Sequence, residues 1–572
     1  MSRKLLIALA AAVALPGCQR DTVETSAPAP QPPQAVTLPA SDHTFEPAIV
    51  AADFIERVKT LASDEFEGRG PGSPGETLTV EYLRAQMQRI GLQPGNGDSF
   101  FQDVPMTETR IEGVPVVQVS RGEASHGWEY GTDVVIGSRS GQPEVKIDGS
   151  ELVFVGYGVE APERDWNDYA GVDVRGKTVV MLVNDPGFHA NNADLFDGDK
   201  MTYYGRWTYK FEEAARKGAA AALIIHDTRG ASYDWTVVKN SWSGPQYDLT
   251  VKDDPEPRLP AQGWISAEAA TQLFADAGLD LTAQYEAAGK PGFKPVPLKS
   301  SLSLQLRNQV TEKLSRNVVG VLPGSGRADE AVLYMAHWDH LGKHEGEGDT
   351  IYNGAVDNAT GTAGILEIAE AFVAQQTAPQ RSVVFLAVTL EESGLLGSKY
   401  YVAHPTFPLD KIAGVINLDA MSVAGRSRNM TVTGFGSSEL EDILKPIAAT
   451  QGRTLNAETN VAAGYYFRSD HFNFAKAGVP ALYAKGGDDL IDGGKAGGKR
   501  AAEAYASRYH MPSDEYDPDH WPWGVDGVVE DLEALYAVGA ELAAGDRWPN
   551  WYEGNPFKAA RDTMMGAAHT QE

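Results

Sequence analysis

The chain has 572 residues, 42% hydrophobic and 22% charged, which is enough to bury large cores and to make two or three domains of ordinary size. Its formal net charge of -29 argues against nucleic acid, whose binding needs a basic face, and is compatible with a secreted or envelope enzyme.

Arg3-Lys4 precede a short apolar stretch, Leu5–Leu15, too short to span a membrane as a mature helix. A basic start and a short apolar core predict a signal peptide over residues 1–17. Pro16-Gly17-Cys18 follows. A small residue before the chain's one cysteine looks like a bacterial lipoprotein signal, which implies acylation of Cys18 and a membrane anchor. Gln19-Arg20, with no aspartate directly after the cysteine, resembles outer-membrane sorting. The expected location is therefore the bacterial cell envelope, as an outer-membrane-anchored lipoprotein facing the periplasm or the exterior. The plainer reading is a cleaved signal with an incidental cysteine. One cysteine allows no intrachain disulfide and no thiolate zinc knuckle. Residues 18–45 are rich in Pro and Ala and read as an extended tether.

Residues 46–116 open the folded part. Ala51–Leu61 reads as a helix and Phe66–Gly70 as a loop. Ser73-Pro74-Gly75-Glu76 has the form of a capping box with proline at the first helical position. The helix after it carries Leu78, Tyr82, Leu83, Met87 and Ile90 on one face and stops at Gly91. Residues 117–297 change texture. Strands are expected at 153–158 and 177–183 and a helix at 211–217, followed by an apolar run at 219–225, with no cluster of ligand-type residues, so the segment reads as a self-contained insert. Its Tyr203, Tyr204, Arg206 and Trp207 read as internal packing, with substrate contact as the other reading. From Asn317 onward the chain alternates strand and helix, the pattern of a parallel or mostly parallel sheet; residues 298–572 are expected to make an α/β domain, three-layer α/β/α with a mixed, mostly parallel sheet. Ala359–Gln375 is expected to be a helix with Ile365, Leu366, Ile368, Ala369 and Phe372 facing inward.

Three apolar runs in this last part end in a ligand-type residue. Ala331–Ala336 runs into His337, Val383–Leu390 into Glu391-Glu392, and Val415–Leu418 into Asp419. A fourth run, Val479–Ala484, ends near the Gly-rich loop before Tyr509-His510. Ligands bind at the carboxyl ends of strands in open α/β sheets, so these residues should converge on one sheet edge. Histidines and acids converging in this way are what a divalent-metal site needs. Alternation puts Asp339 on the side of His337, placed to accept its second N–H; a surface loop is the other reading. Asp357 sits at the mouth of a helix, either as a cap or with its two oxygens shared between two metals. Of Glu391-Glu392, one carboxylate can ligate metal while the other acts as a base, unless both are solvated loop charges. His510 is a further ligand candidate.

Together the stretches AHWDHLG, GAVDNATGTAG, TLEESGLLGS, INLDAM and SRYHMPSDEYD, with LASDEFEGRGPGSPG and SDHFNFAKAGVPALY, resemble the co-catalytic di-zinc exopeptidases of the aminopeptidase and glutamate-carboxypeptidase type. The likeness runs from about residue 50 onward and no ligand of the series is missing. It implies one zinc on His337 and Asp419, a second on Glu392 and His510, and Asp357 bridging the two. Cobalt or manganese would suit the same ligands. It implies Glu391 as general base, Asp339 as orienter of His337, and Tyr509 as a hydrogen-bond donor to the oxyanion, with a cis peptide at Asp357–Asn358. GKTVVMLVNDPGF and KFEEAARKGAAAALIIHD resemble a protease-associated (PA) domain, which implies that the insert partly covers the site. The activity implied is an aminopeptidase acting on peptides. A carboxypeptidase or dipeptidase on the same site is the alternative, and a non-catalytic receptor-like protein is the alternative from another class.

Overall fold

Parallel strands covered on both faces need apolar side chains at successive positions, and the four apolar runs supply them. The computed structural model describes residues 36–569 apart from 40, 191 and 255. The expected signal peptide, Cys18 and the tether as far as residue 35 lie outside the described residues. Arg327–His337 lies parallel to both Arg381–Val388 and Ile412–Asn417, and the latter lies parallel to Ala481–Gly486. Val318–Leu322 pairs antiparallel with Val383–Ala387 on the far side. The sheet is thus mixed and mostly parallel.

Alternate residues of each strand enter opposite cores. Val332, Tyr334 and Ala336 pack with Val383, Phe385 and Ala387 against the helices Ala51–Leu61, Pro74–Ile90, Thr360–Val373 and Val525–Ala544. Leu333, Met335, Val384 and Leu386 face the other way, toward Leu396–Ala403 and His471–Lys476. Ser73 caps its helix as expected, its Oγ accepting the Glu76 N–H. The Glu76 carboxylate, however, takes the N–H of Gly72 and the hydroxyl of Ser315. The expected helix 359–375 is Thr360–Val373, preceded by a separate turn, Ala355–Ala359.

A second sheet occupies the middle of the chain. Thr178–Leu182, Ala221–Ile225 and Ala261–Ile265 are parallel neighbours, and their alternate residues again fill two cores. One 27-residue strand, Val296–Leu322, runs through both sheets. Its first part pairs with Val116–Arg121 and Glu144–Phe154, its second with Phe101–Ile111. Pairing with Glu144–Phe154 continues to Arg307, ten residues past the boundary expected at 297. Tyr203 packs on Tyr204 and Tyr209, and also across on Phe467 and Phe472. No helix among the described residues is long and apolar enough to cross a membrane.

Candidate metal centre

His337 is the last residue of its strand, Glu391 and Glu392 lie just past Val388, and Asp419 lies two residues past Asn417. Three adjacent parallel strands therefore deliver these side chains to one edge. Asp357 enters from the turn Ala355–Ala359, and His510 from the loop after the helix Gly494–Ala506. The Asp357–Asn358 peptide is cis.

Asp357 stands at the centre. Its Oδ1 is 3.3 Å from His337 Nε2 and its Oδ2 is 3.4 Å from His510 Nε2. Asp419 Oδ1 is 3.4 Å from His337 Nε2, and Glu392 Oε2 is 3.1 Å from His510 Nε2. Two donor atoms each about 2.0–2.1 Å from one tetrahedral ion stand about 3.3 Å apart, so these separations are the edges such an ion would need. His510 Nε2 is buried and makes no hydrogen bond, although two carboxylates face it. His337 Nδ1 is 3.1 Å from the Asp339 carbonyl oxygen. A carbonyl only accepts, so Nδ1 carries a proton, and Nε2 is the atom turned toward the carboxylates and free to ligate an ion once its own proton leaves. His337, Asp357 and Asp419 face one another on one side, and Glu392, His510 and the same Asp357 on the other, a donor set that suits divalent metal. Donor atoms of His340, Asp357 and Glu392 also lie within 4.8 Å of one another, but His340 Nδ1 stands 2.6 Å from Glu392 Oε1, at hydrogen-bond length and not at a ligand edge.

Asp339 differs from expectation in the atom it uses. Its carboxylate is 3.9 Å from His337 Nδ1 and accepts instead the backbone N–H groups of Glu391 and Glu392. It thus anchors the turn carrying both glutamates, while its carbonyl orients His337. Tyr509 stacks on the His510 ring at 3.9 Å and is 47% exposed.

Sequence reasoning passed over three further groups. Arg69, fully buried, donates to the carbonyls of Leu61, Trp338, Asn353 and Gly354, tying the Asp357 turn to the end of the His337 strand. Asp514 accepts the N–H groups of Val356 and Asp357. Its place four residues after His510 was the available signal. The third is His340, whose Nδ1 is 2.6 Å from Glu392 Oε1.

The electrostatics follow from buried carboxylates facing histidines. Burial raises the Glu391 carboxyl well above its usual range, with Glu392 and Asp419 adding to the rise and His337 opposing it. Burial pushes Asp339 up to about 8. Burial also opposes ionisation of Glu392, yet His510 and His340 hold it at about 2. Burial disfavours charge on His510, but Glu392 and Asp357 raise it to about 10. His337 is likewise raised well above its usual value, burial being overcome by Glu391, Asp357 and Asp419. With its pKa raised to about 10, His510 holds its proton at neutral pH in the metal-free protein, and a divalent ion must expel it. Metal uptake at pH 7 should therefore release protons, and affinity should fall as pH falls, because expulsion becomes harder. Calorimetric titration with zinc in buffers of different ionisation enthalpy measures the release; a proton count of zero would contradict this account.

Residues 317–534 match the family model described as Peptidase family M28. The chain is 30% identical over 162 residues to mouse "Aminopeptidase NAALADL1", covering 27% of this chain and 20% of that protein. It is 23% identical over 322 residues to the Caenorhabditis elegans "Glutamate carboxypeptidase 2 homolog", covering 48% and 37%. The chain thus spans between 20% and 37% of the length of these curated relatives. Among solved structures, the aminopeptidase from Aneurinibacillus sp. strain AM-1 aligns with a TM-score of 0.49 at 17% identity, over 87% of this chain and 94% of that one.

Proposed function

We propose that this protein, whose residues 317–534 match the model of Peptidase family M28, is a metal-dependent exopeptidase releasing residues from the free N-termini of peptides. The observation that carries the reading is Asp357, each of whose oxygens faces a different histidine within a buried ring of carboxylates. His337, Asp357 and Asp419 would hold one divalent ion, and Asp357, Glu392 and His510 a second, zinc being the metal the resemblance implies. When bound, such ions supply Lewis acidity toward the scissile carbonyl and the attacking water.

The remaining steps belong to the chain's own groups. Glu391 takes the proton of the attacking water on its carboxylate, whose proton affinity burial raises. The Tyr509 hydroxyl donates to the carbonyl oxygen as charge develops there. Glu391 then returns the proton to the leaving amine. Asp339 keeps both glutamates in register by accepting their N–H groups.

One observation favours the second reading, a carboxypeptidase. Arg206 Nε and Arg468 Nε and Nη2 are buried with no hydrogen-bond partner among the described residues. Arg206 is pushed down to about 9 by burial and by Arg468, against the opposing pull of Tyr509 and Glu391. Buried guanidinium nitrogens without a hydrogen-bond acceptor suit a substrate carboxylate. Mass-spectrometric mapping of a peptide with both ends free, N-acetylated or C-amidated, with and without chelator, separates the two readings. Stepwise loss from the N-terminus, abolished by acetylation and by chelator, is the expected result. Loss from the C-terminus, abolished by amidation, would establish the second reading.

The insert over residues 117–297, taken as PA-like, would form the wall that carries Arg206. The chain's start supports an outer-membrane lipoprotein acylated on Cys18, facing the periplasm or the exterior. A mature protein whose N-terminal peptide carries no acyl mass would remove that part of the proposal.

A further inference from the structure

Two adjacent glutamates must take different roles in this site, and nothing in the pair itself says which. Their surroundings do. Glu392 Oε1 is 2.6 Å from His340 Nδ1, a hydrogen-bond length, while its Oε2 stands 3.1 Å from His510 Nε2, a ligand-edge length. No hydrogen bond reaches the Glu391 carboxylate among the described residues, although its backbone N–H is held by Asp339. His340 is itself buried and packed edge-to-face on the His510 ring, with centroids 5.6 Å apart. Its ring also lies against the Asp357 turn: a Cβ at Gly354, where φ is +56°, would fall 2.5 Å from it. Glycine is required at that position on both counts.

We propose that His340 is a positioning residue that fixes Glu392 as the ligand of the second ion and so leaves Glu391 as the base. His340 Nδ1–H occupies one oxygen of Glu392 and locks the carboxylate plane, so that the other oxygen points at the His510 side. Carboxylate ligands are commonly held this way from behind, and losing such a partner typically costs about 10- to 100-fold in metal affinity. The inference rests on the metallopeptidase reading only for the existence of the ion pair.

The test is metal binding rather than turnover alone. Zinc stoichiometry and the affinity of the weaker ion, by chelator competition, are measured for wild type, His340→Ala and His340→Asn. An asparagine amide can stand where Nδ1–H stands, so it keeps the donor while removing the ring. The expected result is two ions in wild type, with the weaker one loosened about 10- to 100-fold in His340→Ala and restored to within a few-fold in His340→Asn. If His340→Ala binds both ions with wild-type affinity, the positioning role is wrong. If His340→Asn is as impaired as His340→Ala while its metal-free melting temperature is unchanged, donation to Glu392 is not what His340 contributes. If wild type binds no divalent ion at all, the metallopeptidase reading fails first, and with it the frame for this role.

Discussion

Glu391→Gln is expected to lower kcat by about 10²- to 10⁴-fold, the range typical of a general base, while the metal content stays at the wild-type level. That loss corresponds to about 3–5 kcal/mol of transition-state stabilisation. Glutamine keeps the shape of the side chain and leaves its backbone N–H on Asp339. The donor atoms that face one another across the site belong to His337, His510, Asp357, Asp419 and Glu392, so the substitution removes no ligand. What disappears is the carboxylate that accepts the proton, a group whose pKa burial raises. Single-turnover rates on a chromogenic amino-acid amide, read beside metal analysis of the same preparation, check both halves. Undiminished turnover would move the base to another group, and loss of an ion would make Glu391 a ligand.

Legibility in the sequence tracked local periodicity. His337, Glu391, Glu392 and Asp419 could be placed because the apolar runs before them are fully buried parallel strands, whose carboxyl ends lie side by side. Alternation failed at the point where the strand stops. His337 closes its strand, so the side-to-side rule no longer governs Asp339, which is why its carbonyl and not its carboxylate meets His337 Nδ1. The same holds at the glutamates, where Leu390 has φ 57° and turns the chain out of the strand direction. His510 follows the helix Gly494–Ala506 in a loop of no regular period, so its residue type made it a candidate and the family likeness gave it a partner ion. Arg69, Asp514 and His340 were missed because their contacts reach across up to 285 positions of sequence and leave no local pattern. No break in pattern marks the passage between the two sheets, because Val296–Leu322 keeps alternating as it runs from one to the other.

Asp357→Ala is expected to abolish the binding of both ions and to take activity below detection, because no other side chain serves both donor sets. Without it, the first side keeps His337 and Asp419 and the second keeps Glu392 and His510, two donors each. Catalytic zinc sites ordinarily have three protein ligands, so neither remainder holds an ion firmly. Asp357→Asn separates the two sides. An amide offers one oxygen and one nitrogen donor, so only one of the two histidine faces keeps an acceptor, and at most one ion should remain. The turn itself should survive either change. Its backbone is held by Asp514 at Val356 and Asp357, by Arg69 at Asn353 and Gly354, and by Asn358, which bridges to Leu418, Gly361 and Ala420. The metal-free variants should therefore melt close to metal-free wild type. What they lose is the stabilisation that ligand binding adds, about 4 kcal/mol when free zinc is a thousand times its Kd. Thermal scans with and without zinc measure this directly: a wild-type-sized zinc shift in Asp357→Ala would mean that the ions are held elsewhere. A collapse of the metal-free melting temperature would mean instead that Asp357 is a structural group, with the paired histidines arranged around a carboxylate that holds the fold.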